Sequence, residues 1–137
     1  MDRFKNSLMK DEGFRAKVYQ DHLGIDTIGY GTKIIEIEVS KEVAEAWLDA
    51  ELDEKEERLR RIVFYDRLNI DRKNVIRSMA YQMGVRGVEK FKNMWAAIGA
   101  ECWWIAAHEM RDSRWWRDPA TRDRAERMAI RMESGEW

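Results

Sequence analysis

The sequence predicts an α+β fold in which a small antiparallel sheet precedes a mainly helical remainder, and three observations carry that expectation. After a short amphipathic segment, residues 14 to about 38 alternate apolar and polar side chains at the two-residue period of strands. From Lys41 onward apolar residues return every three or four positions, the period of helices that bury one face. The 137 residues include one proline, Pro119, and only 8 glycines, a composition that leaves little room for long loops.

Residues 2 to 12 form the first helix, with Phe4, Leu8 and Met9 on one side, and Gly13 suits its end. Glu12 is thereby set at a helix C-terminus. Three strands follow: FRAKVYQ, with Phe14, Ala16 and Val18 on one face; IDTIGYG, carrying Thr27; and TKIIEIEV, in which Ile35, Ile37 and Val39 alternate with Glu36 and Glu38. Asp21-His22-Leu23-Gly24 supplies the turn between the first two. Gly29 and Gly31 flank Tyr30 and remove side chains where a long substrate needs close backbone approach. A sheet this small requires a helical cover.

Ser40 is a good N-cap and Glu42 complements the dipole of a helix from Lys41 to about Ile62, with Ala44, Trp47, Leu48, Leu52, Leu59 and Ile62 at helical spacing. At 1.5 Å per residue its roughly 22 residues span about 33 Å. Beyond Phe64 and Tyr65 four short helices are expected around one core. Asp71 caps one that runs through Val75, Ile76 and Met79 to a stop at Gly84, and Gly87 opens another carrying Phe91, Met94 and Trp95. A third covers about Glu101 to Met110, and Asp118-Pro119 starts the last.

The balance of 45% hydrophobic and 37% charged residues is that of a globular, soluble chain. No apolar run reaches membrane-spanning length and the N-terminus lacks the apolar core of a signal peptide, so the expectation is a chain made and kept in the cytosol. Cys102 is alone, which excludes an internal disulfide and leaves it a small packing residue beside Trp103. His22 and His108 are too few and too far apart for a metal site, and no GxSxG elbow or phosphate loop is present, so no metal or cofactor is expected. The net charge of −1 conceals an asymmetry: residues 1–57 hold 8 Lys/Arg against 15 Asp/Glu, residues 58–137 hold 17 against 11. A basic half attracts an anionic polymer, although two solvated faces of opposite sign explain the charges equally well. Nucleic acid is not the expected partner, since no recognised motif accompanies the charge. Most of the 7 tryptophans are expected in the core.

Glu12, Asp21 and Thr27 come from a helix end, a turn and a strand, three supports able to face one cleft. Read locally they are a polar residue before a cap, a turn former and a strand filler. Read together, two carboxylates and a hydroxyl suit glycoside hydrolysis, in which one acid protonates the leaving oxygen and the other groups handle water. The negative end of a helix dipole disfavours added negative charge, which fits a proton donor at Glu12.

Those three residues, embedded in DEGFRAKVYQD and TIGYG, resemble the phage-type lysozymes, the muramidases of the T-even bacteriophage kind. The similarity continues through AYQMG, GVEKFKNMW, DSRWW and the terminal Gly135-Glu136-Trp137. It implies a sheet lobe at about 13–40, a connecting helix at about 41–62, and a helical lobe at about 63–137 that also takes the helix of residues 2–12. Glu12 becomes the catalytic acid, with Asp21 and Thr27 placing the water. Tyr81, Gln82, Lys33 and Glu109 become substrate contacts, the last two differing in chemistry from the family's pattern. Arg124 becomes the arginine that pairs with the acid, and Trp103, Trp115 and Trp137 match buried positions, whereas Trp104 and Trp116 are additions. The implied substrate is peptidoglycan, cut at the β-1,4 bond between N-acetylmuramic acid and N-acetylglucosamine. The implied setting is a monomeric endolysin held in the host cytosol until a separate holin-like pore releases it. A lytic transglycosylase, a non-catalytic wall-binding module and a nucleic-acid adaptor are the rival readings. This chain departs from the family in having only about nine residues between Gly31 and the long helix, and in Thr32 where a histidine is usual.

Overall fold

The computed structural model describes residues 2–137, which form seven α-helices and one three-stranded antiparallel sheet. The chain divides into two compact units, one ending at Ala44 and one running from Glu45 to Trp137.

In the first unit, α1 spans Arg3–Glu12, capped by Asp2, whose carboxylate accepts from the Phe4 N–H at 2.9 Å. Gly13, at φ 70°, ends the helix as expected, its N–H donating to the Met9 carbonyl. Strands β1 (Arg15–Gln20), β2 (Asp26–Gly29) and β3 (Thr32–Lys33) lie in the order β1-β2-β3. Tyr19 pairs with Thr27 across one edge of β2, and Thr27 with Lys33 across the other. The eight-residue third strand read from TKIIEIEV is not formed. Only Thr32 and Lys33 pair, and Ile34–Glu36 makes a 3₁₀ turn closed by the Ile37 N–H on the Ile34 carbonyl at 3.1 Å. In the observed register a further pair would meet Asp26, where β2 begins, and beyond it the chain is already turning. With no partner the backbone closes on itself. The alternation there marks no buried face either: Ile35 is 87% exposed.

The residues from Lys41 to Leu59 form α2, capped by the Ser40 hydroxyl, and the boundary between the units falls inside this helix. It ends three residues before the expected Ile62. Phe64 adopts φ 76°, and its ring occupies the space beside Gly99 where a Cβ would stand. Helix α3 spans Ile70–Glu89 and is capped by Asn69, not Asp71: the Asn69 Oδ1 accepts from the Arg72 N–H at 2.8 Å. Gly84 breaks it, at φ 81° and ψ 159°, yet helix resumes for one further turn, so Gly87 lies inside α3 instead of opening the next element. Helices α4 (Lys92–Gly99) and α5 (Trp103–Arg111) follow. A one-turn helix α6 (Arg114–Arg117), capped by Ser113, was not expected, so α3 onward gives five helices where four were read. Asp118 and Pro119 form a turn ahead of α7 (Arg122–Ser134), which Gly135 ends at φ 74°.

The core belongs to the second unit. Val75, Ile76 and Met79 of α3, Met94 of α4, Met110 of α5 and Met132 of α7 are fully enclosed with Leu59 and Tyr65. Helix α5 packs most extensively on α7, where buried alanines (Ala106, Ala107, Ala125 and Ala129) permit close approach. Cys102 packs against this core, partly buried. The expectation that most tryptophans are core is corrected: Trp95 and Trp115 are buried, Trp103 and Trp116 half-buried, and Trp47, Trp104 and Trp137 exposed. Trp137, read as buried, is 57% exposed. Three of the rings outside the core are covered on one face by arginine: the Arg131 guanidinium stacks on Trp137 at 3.9 Å, and Arg72 and Arg122 stack on Trp103 and Trp116 at 3.8 Å.

Candidate active site

In the first unit the candidate chemistry is assembled around the backbone of one residue, Ile25. The Asp21 Oδ1 accepts from the Leu23 N–H at 2.8 Å and from the Ile25 N–H at 2.9 Å. The Asp21 N–H donates to the Ile25 carbonyl, and the Thr27 hydroxyl donates to that same oxygen at 2.8 Å. Asp21 and Thr27 are therefore brought together through both polar groups of Ile25, a backbone role with no signal in residue identity. The Ile25 N–H holds the Asp21 carboxyl below its ordinary value, with help from Leu23 and from the charges of His22 and Lys33. Thr27 is 2% exposed, and because its proton is committed to Ile25 it meets any third group as an acceptor.

Glu12 ends α1 with an exposed side chain. Its carboxylate lies over the Cα of Gly31, where a Cβ would stand 2.7 Å from Oε2. The space left by Gly31 is thus taken by Glu12, whereas a Cβ on Gly29 would meet nothing within 4 Å. Lys33, paired with Thr27 across the sheet, is half-buried.

The other expected contacts lie in the second unit, in two separate hollows. Gln82 and Glu109 line a groove of about 670 Å³ together with Phe91, Trp115, Lys90 and Arg114. The Gln82 Oε1 accepts from the Trp115 indole at 2.7 Å, which fixes the amide's direction. Tyr81, adjacent in sequence but on another face of α3, lines a second hollow of about 630 Å³ with Ser78, Arg77, Glu56 and Arg124. Arg124 donates to the Ser78 Oγ at 3.1 Å. Ser78 escaped the sequence reading, although its place three residues before Tyr81 puts the two on one helix face. Lys90 and Arg114 escaped it as well, their only signal being charge.

In that second hollow Glu56 accepts from Arg77 at 2.7 Å and from the Tyr65 hydroxyl. Burial opposes its charge, but the bonds from Arg77 and Tyr65 outweigh burial and lower its pKa. Burial and the bond to Glu56 raise that of Tyr65. Among the described residues no group of three His, Cys, Asp or Glu side chains is arranged to hold a metal ion. No helix among them is long and apolar enough to cross a membrane.

A short sheet followed by a mainly helical unit, with an acid at the close of the first helix and an Asp/Thr pair on the next hairpin, defines a lysozyme-like protein. The chain belongs to the phage lysozyme family, whose model matches residues 9–126. It is 29% identical, over 93% of its length, to the pre-baseplate central spike protein Gp5 of Enterobacteria phage T4, and spans 27% of that protein. It is 27% identical to the probable T4-type lysozyme 2 of Dictyostelium discoideum, over 96% of this chain and 94% of that one. Membership supports a lysozyme-like function.

Proposed function

We propose that the chain is a muramidase that hydrolyses the β-1,4 bond between N-acetylmuramic acid and N-acetylglucosamine with inversion at the anomeric carbon. The observation that carries this reading is the Asp21–Ile25–Thr27 arrangement. Asp21 commits Oδ1 to two backbone N–H groups, which leaves Oδ2 for a ligand. Thr27, its own proton committed, accepts a second hydrogen. A water that donates one hydrogen to each directs a lone pair away from both, toward an electrophilic carbon. As that oxygen attacks, Asp21 takes the proton while Glu12 delivers its own to the leaving glycosidic oxygen. Tyr81, Gln82, Lys33 and Glu109 are the proposed glycan contacts.

The proposed biological role is host-cell lysis, the enzyme reaching the wall from the cytosol through a separate pore. Similarity to a baseplate spike protein supports a second role, wall penetration during phage entry. The test is loss of turbidity of permeabilised Gram-negative cells with the unmodified chain and with Glu12→Gln, both verified as folded by circular dichroism. Clearing by the first and none by the second is expected. Equal clearing removes Glu12 from the mechanism, and 1,6-anhydro-muramic ends in the products replace hydrolysis by transglycosylation.

A further inference from the structure

We propose that Gly31 is a positioning residue for the acid Glu12: its missing side chain is the seat that fixes the carboxyl. This rests on the reading of Glu12 as the proton donor. The three heavy atoms nearest a Cβ built on Gly31 all belong to Glu12, with Oε2 at 2.7 Å, Cδ at 3.3 Å and Cγ at 3.8 Å. No real Cβ tolerates the first of these distances, so any L side chain at position 31 displaces the carboxyl. Because the displaced atoms are the free end of a flexible side chain, the fold absorbs the change and the acid bears it. A carboxyl moved by an ångström no longer lies in line with a glycosidic oxygen, and misplacement on that scale costs about a hundredfold in rate.

Gly31 is also at φ 81°, so substitution carries a backbone penalty that has to be separated from the loss of the seat. Gly29 provides the reference. It lies two residues away in the same hairpin at φ 71°, but a Cβ there meets nothing within 4 Å. Gly29→Ala therefore carries backbone strain alone, and Gly31→Ala carries strain together with displacement of Glu12. Gly31→Asn supplies a third comparison, because asparagine tolerates the left-handed conformation yet still bears a Cβ.

The experiment measures kcat, KM and thermal midpoint on soluble glycan strands for the unmodified chain, Gly29→Ala, Gly31→Ala, Gly31→Asn, Glu12→Gln and the pair Glu12→Asp with and without Gly31→Ala. Both alanine variants are expected to lose similar thermal stability. The position-31 variants lose at least tenfold more kcat than Gly29→Ala, with KM within twofold of the unmodified chain. In the Glu12→Asp background, where the carboxyl is withdrawn by one methylene, Gly31→Ala costs less than twofold further. Should Gly31→Ala not fold, Gly31→Asn carries the same comparison. Equal kcat losses at positions 29 and 31, or a loss confined to KM, overturn the seat. An active Glu12→Gln overturns the underlying reading of Glu12 instead, so the two failures are distinguishable.

Discussion

At the scale of single residues, Asp21 carries a structural role and, in the proposed mechanism, a chemical one, and substitution separates the two. Its Oδ1 closes the turn through two backbone bonds, and its charge is available for chemistry. Asparagine retains an amide oxygen able to accept from Leu23 and Ile25 but cannot take a proton from water. Asp21→Asn is therefore expected to fold with an unchanged circular dichroism spectrum and to lose at least a hundredfold in wall-clearing rate. Asp21→Ala removes both functions, and its thermal midpoint falls as well, because two turn N–H groups lose their acceptor. A midpoint loss of equal size in the asparagine variant would show that charge, not turn geometry, holds this hairpin.

At the scale of elements, α2 and α3 are tied by the Glu56–Arg77 ion pair, which the Tyr65 hydroxyl completes. Glu56 is well covered, at 14% side-chain exposure, so loss of this acceptor leaves the Tyr65 phenol without its partner and the Arg77 guanidinium with only its bond to Asn74. Glu56→Ala is expected to cost about 2–3 kcal/mol in urea denaturation, and Tyr65→Phe about 1 kcal/mol. The pH dependence has a definite sign. Folding lowers the Glu56 pKa below its ordinary 4.5, so the unfolded chain binds this proton more tightly. Its contribution is fully present above about pH 4.5 and is lost as pH falls through the folded value. The unmodified chain should lose more stability than Glu56→Ala on acidification below pH 4.5. Glu126 acts in the same sense through its hydrogen bonds from the Arg111 guanidinium, so the variant's curve flattens without becoming level.

At the scale of the whole molecule, charge sign divides along the sequence. Residues 58–137 carry the excess of cations, 17 Lys/Arg against 11 Asp/Glu, despite the net charge of −1. If that excess attracts an anionic wall, the clearing rate falls as ionic strength rises from about 0.01 to 0.15 M, over which the screening length shortens from about 30 to 8 Å. The rate on short uncharged chitooligosaccharides, should they be cleaved, stays level. A salt-independent rate on cells would reduce the asymmetry to two solvated faces.

Much of this architecture was legible without coordinates wherever a local rule was also the deciding one. Gly13 ended α1 and Ser40 capped α2, because caps depend on residues within one turn. The Glu12, Asp21 and Thr27 words were readable for the same reason, lying within sixteen consecutive residues. The failures share another cause. TKIIEIEV alternates like a strand but lacked a partner beyond Asp26, and Asn69 took the cap that Asp71 was expected to provide. Trp103, Trp116 and Trp137 were misjudged for a like reason: hydrophobicity does not report that an arginine distant along the chain or a few residues away will stack on a ring outside the core.

By itself, then, the sequence determined that a small sheet precedes a helical remainder, the family and the three groups offered for catalysis, since periodicity, capping and motif spacing are properties of neighbours along the chain. Only the tertiary structure decided that Ile25 joins Asp21 to Thr27 through its peptide groups, that Tyr81 and Gln82 line different hollows, and that the bare Cα of Gly31 carries the Glu12 carboxyl. Those are contacts between backbone atoms and empty volumes, and an amino-acid letter specifies neither until the chain has closed around it.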